Sequence, residues 1–504
     1  MKHQNNTESN GQRTSPLEMT PEAFRALGNG LIDQIADFLG TLPDRPVTTG
    51  ETPSEIRTLI GERRLPREGE DAERILAQTA KLLFDHSLFN GHPKFLGYIT
   101  SSAAPIGALA DLLAAAVNPN VGAWNLAPVA SEIERQTISW IAEMIGYSNE
   151  CGGILVSGGN MANFVGFLAA RHAKAGWDTR KNGMRHEDGQ QLRVYASKET
   201  HTWIHKATDL FGLGTDAIRW IGTDTSQRMD VSALRRQVQQ DAQNGDRPFM
   251  VIGTAGSVST GAIDPLHEIA EVCKRHELWF HVDGAYGAVA AVLPDAPADI
   301  RGMQLADSIA LDPHKWLYAP LEAGCTLVRN PESLRDPFVY RPAYYKFDDI
   351  GGEAPINFAD YGPQNSRGFR ALKVWLGLRQ VGRAGYEKMI SDDIVLARRL
   401  YELAEMHPEL QAFTHSLSIT TLRYVPQHFD MGSPAADDDL NKLNTELLTR
   451  LQEGGEAFVS NAVIDGKYVL RACVVNFRTT MADIEALPEI IARIGRQVDA
   501  EWRK

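Results

Sequence analysis

Cysteine is scarce in this chain of 504 residues: Cys151, Cys273, Cys325 and Cys473 are far apart and form no C-x-x-C pair. That spacing argues against a disulfide framework or a clustered structural zinc site, and it suits buried core thiols in a reducing cytoplasm. Basic charge is also in deficit. Lys and Arg total 51 against 64 Asp and Glu, a net charge of −13. Such a chain gains nothing from counterion release on nucleic acid, and no Lys/Arg cluster interleaved with aromatics offers a local exception. Long apolar runs are missing too: the stretch from Ile106 to Val117 contains Asp111 and falls short of the roughly 18 residues of a membrane span. The first 18 residues are polar, lack the apolar segment of a secretory signal, and predict a loose tail. There is no internal repeat and no low-complexity tract. What is present, 43% hydrophobic and 23% charged residues with Gly and Pro dispersed, describes a soluble globular protein too long for one compact core.

Thr20-Pro21 opens a helix, because Thr can cap and Pro is tolerated at the first helical position. Phe24, Leu27, Leu31, Ile35 and Phe38 then recur with the 3- and 4-residue spacing of one helical face, which needs a surface to cover. From about residue 150, short β-rich runs alternate with helical stretches: Ile154 to Val156, Val194-Tyr195, Ala217 to Trp220, Phe249 to Ile252, Leu278 to Val282 and Ser308 to Leu311. This pattern predicts β-α units around a mainly parallel sheet with helices on both faces. Ligands bind such sheets at the carboxyl ends of the strands. After Trp375 comes a Leu- and Arg-rich helical stretch, then alternating runs (Leu417 to Tyr424, Tyr468 to Phe477) that predict a smaller α+β domain. Residues 331–367 lack periodicity, as functional loops often do.

Three strand ends carry candidate chemistry. Ser157-Gly158-Gly159-Asn160 follows one strand and precedes a helix, where backbone N–H groups can cradle an anion, although a Gly-Gly turn is also a common way to leave a strand. The stretch from Leu278 to Gly287 ends a buried strand at Asp283, followed by small residues; helix capping is the ordinary use of such an Asp. The stretch from Ala306 to Trp316 ends in Asp312-Pro313-His314-Lys315. A lone lysine is usually just solvated, but lysine also forms Schiff bases. A cradle, a strand-end carboxylate and a strand-end lysine at one sheet mouth are what a pyridoxal phosphate cofactor requires.

The order SGGNMAN, His201 in KETHTWIHKA, HVDGAYG and DPHKW resembles the group II pyridoxal-phosphate decarboxylases, and within them the aromatic-L-amino-acid branch. The resemblance runs from about Thr20 to the C-terminus. It implies fold type I, the aspartate-aminotransferase-like α/β fold, with a mainly parallel seven-stranded sheet. It also implies a disordered tail (1–18), an N-terminal helical segment that wraps a partner subunit (19–95), a large cofactor domain (96–385) and a small C-terminal α+β domain (386–504). By the same resemblance Lys315 carries pyridoxal 5'-phosphate as a Schiff base, and Asp283 pairs with the pyridine nitrogen and keeps it protonated. His201 and Ala285 contact the ring faces, Gly159 and Asn160 hold the phosphate, and Asp312 and His314 complete the cofactor site. Asp312 stands where the animal enzymes have Asn, which questions its contact with the phosphate, and Val258 stands where they have Thr, so any side-chain hydrogen bond to the cofactor there is lost or moved to Ser257. His205, at i+4 from His201, mimics a metal pair, but no third ligand is evident and no metal is expected.

Pro342-Ala343-Tyr344-Tyr345-Lys346 resembles the family's mobile catalytic loop, which makes Tyr344 the acid that protonates Cα; relatives without Tyr there are aldehyde synthases. The stretch from His92 to Ser101 resembles the substrate pocket, with Tyr98, Ile99 and Ser101 at contacting positions. Asn120 and Gly122 replace an Ile and a Phe of the animal enzymes, and Ser366 matches plant relatives that take phenolic amino acids. The resemblance thus implies a cytoplasmic homodimeric carboxy-lyase acting on an L-amino acid, aromatic in the first instance, with no nucleic-acid or membrane partner. Its rivals are an aldehyde synthase, a decarboxylase of a non-aromatic amino acid, an aminotransferase and a catalytically silent binding protein.

Overall fold

The computed structural model describes residues 15–61, 64–184, 189–340 and 352–504. Contacts divide the chain into two units, Met1–Leu88 and Phe89–Lys504. The first is helical: α1 (Pro21–Thr41), α2 (Pro53–Ile60) and α3 (Ala72–His86). Thr20 caps α1 as its sequence predicts, its Oγ1 accepting from Ala23 N at 3.2 Å. Thr52 and Glu55 form a reciprocal capping box on α2. Phe38 of α1 stacks on Phe84 of α3 with ring centroids 4.7 Å apart, yet α1 buries none of its residues.

The second unit begins with α4 (Pro105–Val117) and α5 (Pro128–Met144) and then enters the alternation expected from the sequence. In order come β1 (Gly152–Val156), α6 (Gly159–Lys174), the single turn α7 (Thr179–Asn182), β2 (Leu192–Ser197), α8 (Trp203–Leu210), β3 (Ile218–Ile221), α9 (Val231–Gln243), β4 (Arg247–Thr254), α10 (Leu266–Arg275), β5 (Trp279–Asp283), β6 (Ser308–Leu311), β7 (Gly324–Val328) and α11 (Pro331–Arg335). The strands form one seven-stranded sheet in the order β1-β7-β6-β5-β4-β2-β3. All pairings are parallel except those of β7, which runs against both β1 and β6. β1, β5, β6 and β7 are buried at every position, as strands covered on both faces must be, and so read as continuous apolar runs.

Register then fixes where function can sit. Thr254 pairs with Asp283, and Asp283 with Ala310, so the carboxyl ends of β4, β5 and β6 lie side by side. Val156, the last residue of β1, pairs with Gly324 at the start of the reversed β7, which brings the β1–α6 turn to the same edge.

The chain continues through α12 (Ala371–Met406), β8 (Leu410–Ser416), β9 (Ile419–Tyr424), α13 (Ala436–Glu453), β10 (Ser460–Ile464), β11 (Lys467–Cys473) and α14 (Met481–Trp502). Gly382 breaks α12 with φ 67° and ψ 169°, a left-handed turn that glycine adopts without strain. The last four strands make an antiparallel sheet, β10-β11-β9-β8; β8, β9 and β11 share an apolar core with α12, α13 and α14, and Ala462 and Ile464 of β10 pack with Val469 in a smaller cluster.

Candidate active site

At the carboxyl edge of the large sheet lies a cavity of about 370 Å³, at the low end of the roughly 300–1,000 Å³ usual for small-molecule sites. Gly159, Asn160, His201, Asp283, Ala285, Asp312, His314 and Lys315 all line it. Residues that are up to 156 positions apart in sequence therefore meet in one place. Tyr98, Ile99 and Ser101 are not among its lining residues. Tyr98 has a positive φ of 51°, is 53% exposed and lies near the Phe458 ring. Ile99 packs on the main core, and Ser101 Oγ donates to the carbonyl of His314 at 3.0 Å. Tyr344 and the rest of the segment from Pro342 to Lys346 lie outside the described residues, as do the first 14 residues of the chain.

Gly158, Gly159, Asn160 and Met161, the N-cap and first turn of α6, form one wall. Among the described residues no side chain caps this helix, so its first N–H groups and positive dipole end remain for a ligand anion. Glycine is required there. Gly158 has φ 141°, a Cβ on Gly159 would stand 2.6 Å from Asp312 Oδ2, and a Cβ on Gly324 would stand 2.6 Å from the backbone of Gly158.

Asp283 closes the far side. It is 6% exposed; its Oδ2 accepts from Trp203 Nε1 at 2.8 Å and its Oδ1 from Ala285 N at 3.2 Å. Two donors fix its orientation, and a carboxyl so placed is the partner that a pyridine nitrogen needs. Behind it His281 is fully buried between Ser308 Oγ and Asn163 Oδ1, each 2.7 Å from a ring nitrogen, and burial lowers its pKa to about 4.

The β6 exit is tied to β5 by Asp312 N donating to Ala285 O at 3.1 Å, and Lys315 N turns back to Asp312 O at 2.9 Å. Lys315 Nζ lies 3.0 Å from Asp312 Oδ2. His314 Nδ1 faces Ala323 O at 2.7 Å; burial lowers its pKa, with Asp312 opposing. His201 sits at the rim with an exposed edge, and the enclosure of the rest of its ring lowers its pKa while Asp283 opposes the shift. Its neighbour His205 packs against the Trp220 ring at 5.0 Å instead, and among the described residues no group of three His, Cys, Asp or Glu is set to hold a metal.

The cavity wall and its supports also include contacts that the sequence does not show. Ser257 Oγ is engaged with Thr260 Oγ1 at 3.0 Å, whereas Thr254 lines the cavity with a buried Oγ1 that has no hydrogen-bond partner among the described residues. Val258 also lines the cavity, and its carbonyl accepts from Arg471 Nη1 of β11 at 2.5 Å. Beneath Lys315, Tyr286 stacks on Trp316 with centroids 4.9 Å apart. Trp316 Nε1 and Tyr318 OH both donate to Asp393 Oδ2 of α12, at 2.8 and 2.7 Å.

A lysine and a carboxylate at adjacent strand ends, facing an uncapped glycine-rich helix start, fit pyridoxal 5'-phosphate: an aldehyde partner, a ring-nitrogen partner and a phosphate cradle. Residues 53–418 match the pyridoxal-dependent decarboxylase conserved domain, and the chain belongs to that family. Its cofactor is pyridoxal phosphate and its architecture is fold type I. The aromatic-L-amino-acid decarboxylase of Bacillus atrophaeus is 34% identical over 96% of this chain and 98% of its own. A phenylacetaldehyde synthase of a Rosa hybrid cultivar is 29% identical over 92% of each chain. Among solved structures, Oryza sativa TDC with PLP and tryptamine superposes with a TM-score of 0.87 at 26% identity, covering 96% of this chain and 99% of that one.

Proposed function

We propose that this protein decarboxylates an L-amino acid, aromatic in the first instance, to the corresponding amine and CO2. The observation that carries the reading is the meeting of Lys315, Asp283 and the bare N-terminus of α6 in one cavity, in a chain of this family. Bound there, pyridoxal phosphate supplies an electron sink for the pair released when a bond at the substrate's Cα breaks. Lys315 holds the cofactor through Nζ. Asp283, oriented by Trp203 and the Ala285 amide, pairs with the ring nitrogen. Gly159 and Asn160 receive the phosphate, His201 and Ala285 contact the ring, and Asp312 and His314 complete the cofactor wall. Tyr344 returns a proton to Cα, and Tyr98, Ile99 and Ser101 contribute to substrate recognition.

The protein acts as a homodimer with the site at the subunit interface. Leu109, Leu112, Leu113 and Val117 of α4 are all more than half exposed, and α1 buries nothing; both are apolar surfaces that a partner subunit would cover. Four free cysteines, three of them buried, support a cytoplasmic location. Among the described residues no helix is long and apolar enough to cross a membrane.

The test is to incubate the cofactor-loaded protein with the twenty amino acids, dihydroxyphenylalanine and 5-hydroxytryptophan, and to measure CO2, amine, aldehyde and peroxide together. Amine and CO2 in equal amounts from an aromatic amino acid support the reading. Aldehyde with peroxide makes the protein a synthase, and turnover of glutamate or aspartate alone overturns the aromatic assignment.

A further inference from the structure

Asp312 has a place in the cavity that the roles above leave unexplained. It is 2% exposed, and its Oδ1 is buried with no hydrogen-bond partner among the described residues. Its Oδ2 lies 3.0 Å from Lys315 Nζ and 3.8 Å from His314 Nε2, and against Gly159 at the start of α6. The other titratable groups around it give no second cation. Burial lowers both His314 and His201 toward the neutral form, and burial keeps Cys325 of β7 a thiol. Asp283 and Glu199, which also line the cavity, are acidic. Among the described lining residues Lys315 is the one lysine or arginine, and it stands with three carboxyls, Glu199, Asp283 and Asp312.

We propose that Asp312 is ionised in the cofactor-free protein and carries a proton once pyridoxal 5'-phosphate is bound, so that cofactor loading takes up a proton at this carboxyl. The inference rests on the reading of Lys315 and the α6 N-terminus as the cofactor's holders. In the free protein the Lys315 ammonium balances the Asp312 carboxylate. Loading engages Nζ elsewhere and brings a phosphate of about −1.5 to −2 charge to the helix start on which Oδ2 abuts. Two anions in one buried spot cannot both stay ionised. The phosphate receives the N–H donors of α6, which favour its charged form, whereas Asp312 Oδ1 has none, so the proton goes to the carboxyl and makes it a hydrogen-bond donor.

The test titrates pyridoxal 5'-phosphate into the cofactor-free wild type and Asp312→Asn by calorimetry, in two buffers of different ionisation enthalpy, across neutral to mildly alkaline pH. ³¹P NMR of the bound cofactor accompanies it. The wild type should take up close to one proton more than Asp312→Asn. Its dissociation constant should rise by up to tenfold per pH unit, with a flatter profile in the variant, and the ³¹P shift should report a dianion in both. Should Asp312→Asn fail to fold, the wild-type measurements decide alone, since absence of proton uptake or a monoanionic phosphate overturns the proposal. Equal uptake in both proteins with normal binding overturns the proposal and leaves the cofactor site standing. No saturable binding overturns the site and the proposal together.

Discussion

Trp203 Nε1 donates to Asp283 Oδ2 at 2.8 Å, with both groups buried. This bond fixes the carboxyl's orientation from the first turn of α8. Trp203→Phe keeps most of the packing volume and removes the donor. A hydrogen bond to a charged group is worth about 1.5–3 kcal/mol, so we expect cofactor affinity to fall by roughly 10- to 100-fold, read by quenching of protein fluorescence. Unchanged affinity would place the control of Asp283 elsewhere.

The cavity's main residues were legible because each is a local event in the sequence: a strand that ends in Asp283, a strand that ends before Lys315, a Gly-Gly turn before a helix. What supports them was not, because those partners are set by tertiary packing. Trp203 lies 80 positions from Asp283, and Arg471 lies 213 from the Val258 carbonyl it holds. Six of the seven large-sheet strands are marked by their apolar runs; β7, Gly324–Val328, is as long as β1 and β5, but Gly324 and Thr326 dilute its run, and its antiparallel pairing with β1 and β6 identifies it. In the small sheet β8 is half-buried at six of its seven positions, so it carries little alternation to read. Ser257, one of the two alternatives at the Val258 position, has its hydroxyl engaged with Thr260, which spacing does not reveal.

His281 is held in one tautomer by its neighbours. Asn163 Nδ2 donates to Gly159 O at 2.9 Å, so Asn163 Oδ1 accepts from His281 Nε2, and Nδ1 accepts from Ser308, whose Oγ takes the Trp279 Nε1 proton at 2.8 Å. The folded pKa of about 4 lies below the ordinary 6.5. The neutral ring's contribution is therefore full above pH 6.5 and is lost as pH falls toward 4, about 3 kcal/mol in all. Urea midpoints of the wild type should fall over that window, and His281→Gln, less stable at neutral pH, should lose that part of the slope.

Asp393 has the opposite sign. Burial raises its carboxyl to about 7, above the ordinary value near 3.9, so the folded state binds the extra proton. Its contribution is full below about pH 4 and is lost as pH rises to 7, a change of about 4 kcal/mol. Asp393→Asn retains an oxygen for Trp316 and Tyr318 and cannot ionise. We expect the variant to gain on the wild type as pH rises from 4 to 8, measured by chemical denaturation; parallel curves would remove Asp393 from the account.

Gly159→Ala tests the cradle. The new methyl would stand 2.6 Å from Asp312 Oδ2, a buried atom on a short side chain with little room to yield. Overpacking of this kind costs about 1–3 kcal/mol, and here the strain falls on the first turn of α6. Stability should drop by that amount, and cofactor affinity should drop with it, whereas Gly28→Ala inside α1, where nothing lies within 4 Å of the new carbon, should leave affinity unchanged and raise stability by about 0.5–1 kcal/mol. A Gly159→Ala variant that binds cofactor as tightly as the wild type would show that the helix start does not hold the phosphate.

Relatives of this chain include an aromatic-L-amino-acid decarboxylase and a phenylacetaldehyde synthase, and the role proposed for Tyr344 predicts what would move this chain from one outcome to the other. If its hydroxyl delivers the proton to Cα after CO2 leaves, Tyr344→Phe deletes the proton source and keeps the ring, and dioxygen then competes for the electrons that the proton would have trapped. The stoichiometry changes in a way that can be counted: with phenylalanine, one O2 and one water are consumed, and phenylacetaldehyde, CO2, ammonia and hydrogen peroxide appear in equal amounts, while the wild type releases only amine and CO2. We expect CO2 release to continue in Tyr344→Phe with most of the product diverted to aldehyde, checked by an oxygen electrode and peroxide assay run beside amine quantitation. Amine formation at the wild-type rate without oxygen uptake would assign the proton to another donor, and His201 at the cavity rim would be the next residue to replace.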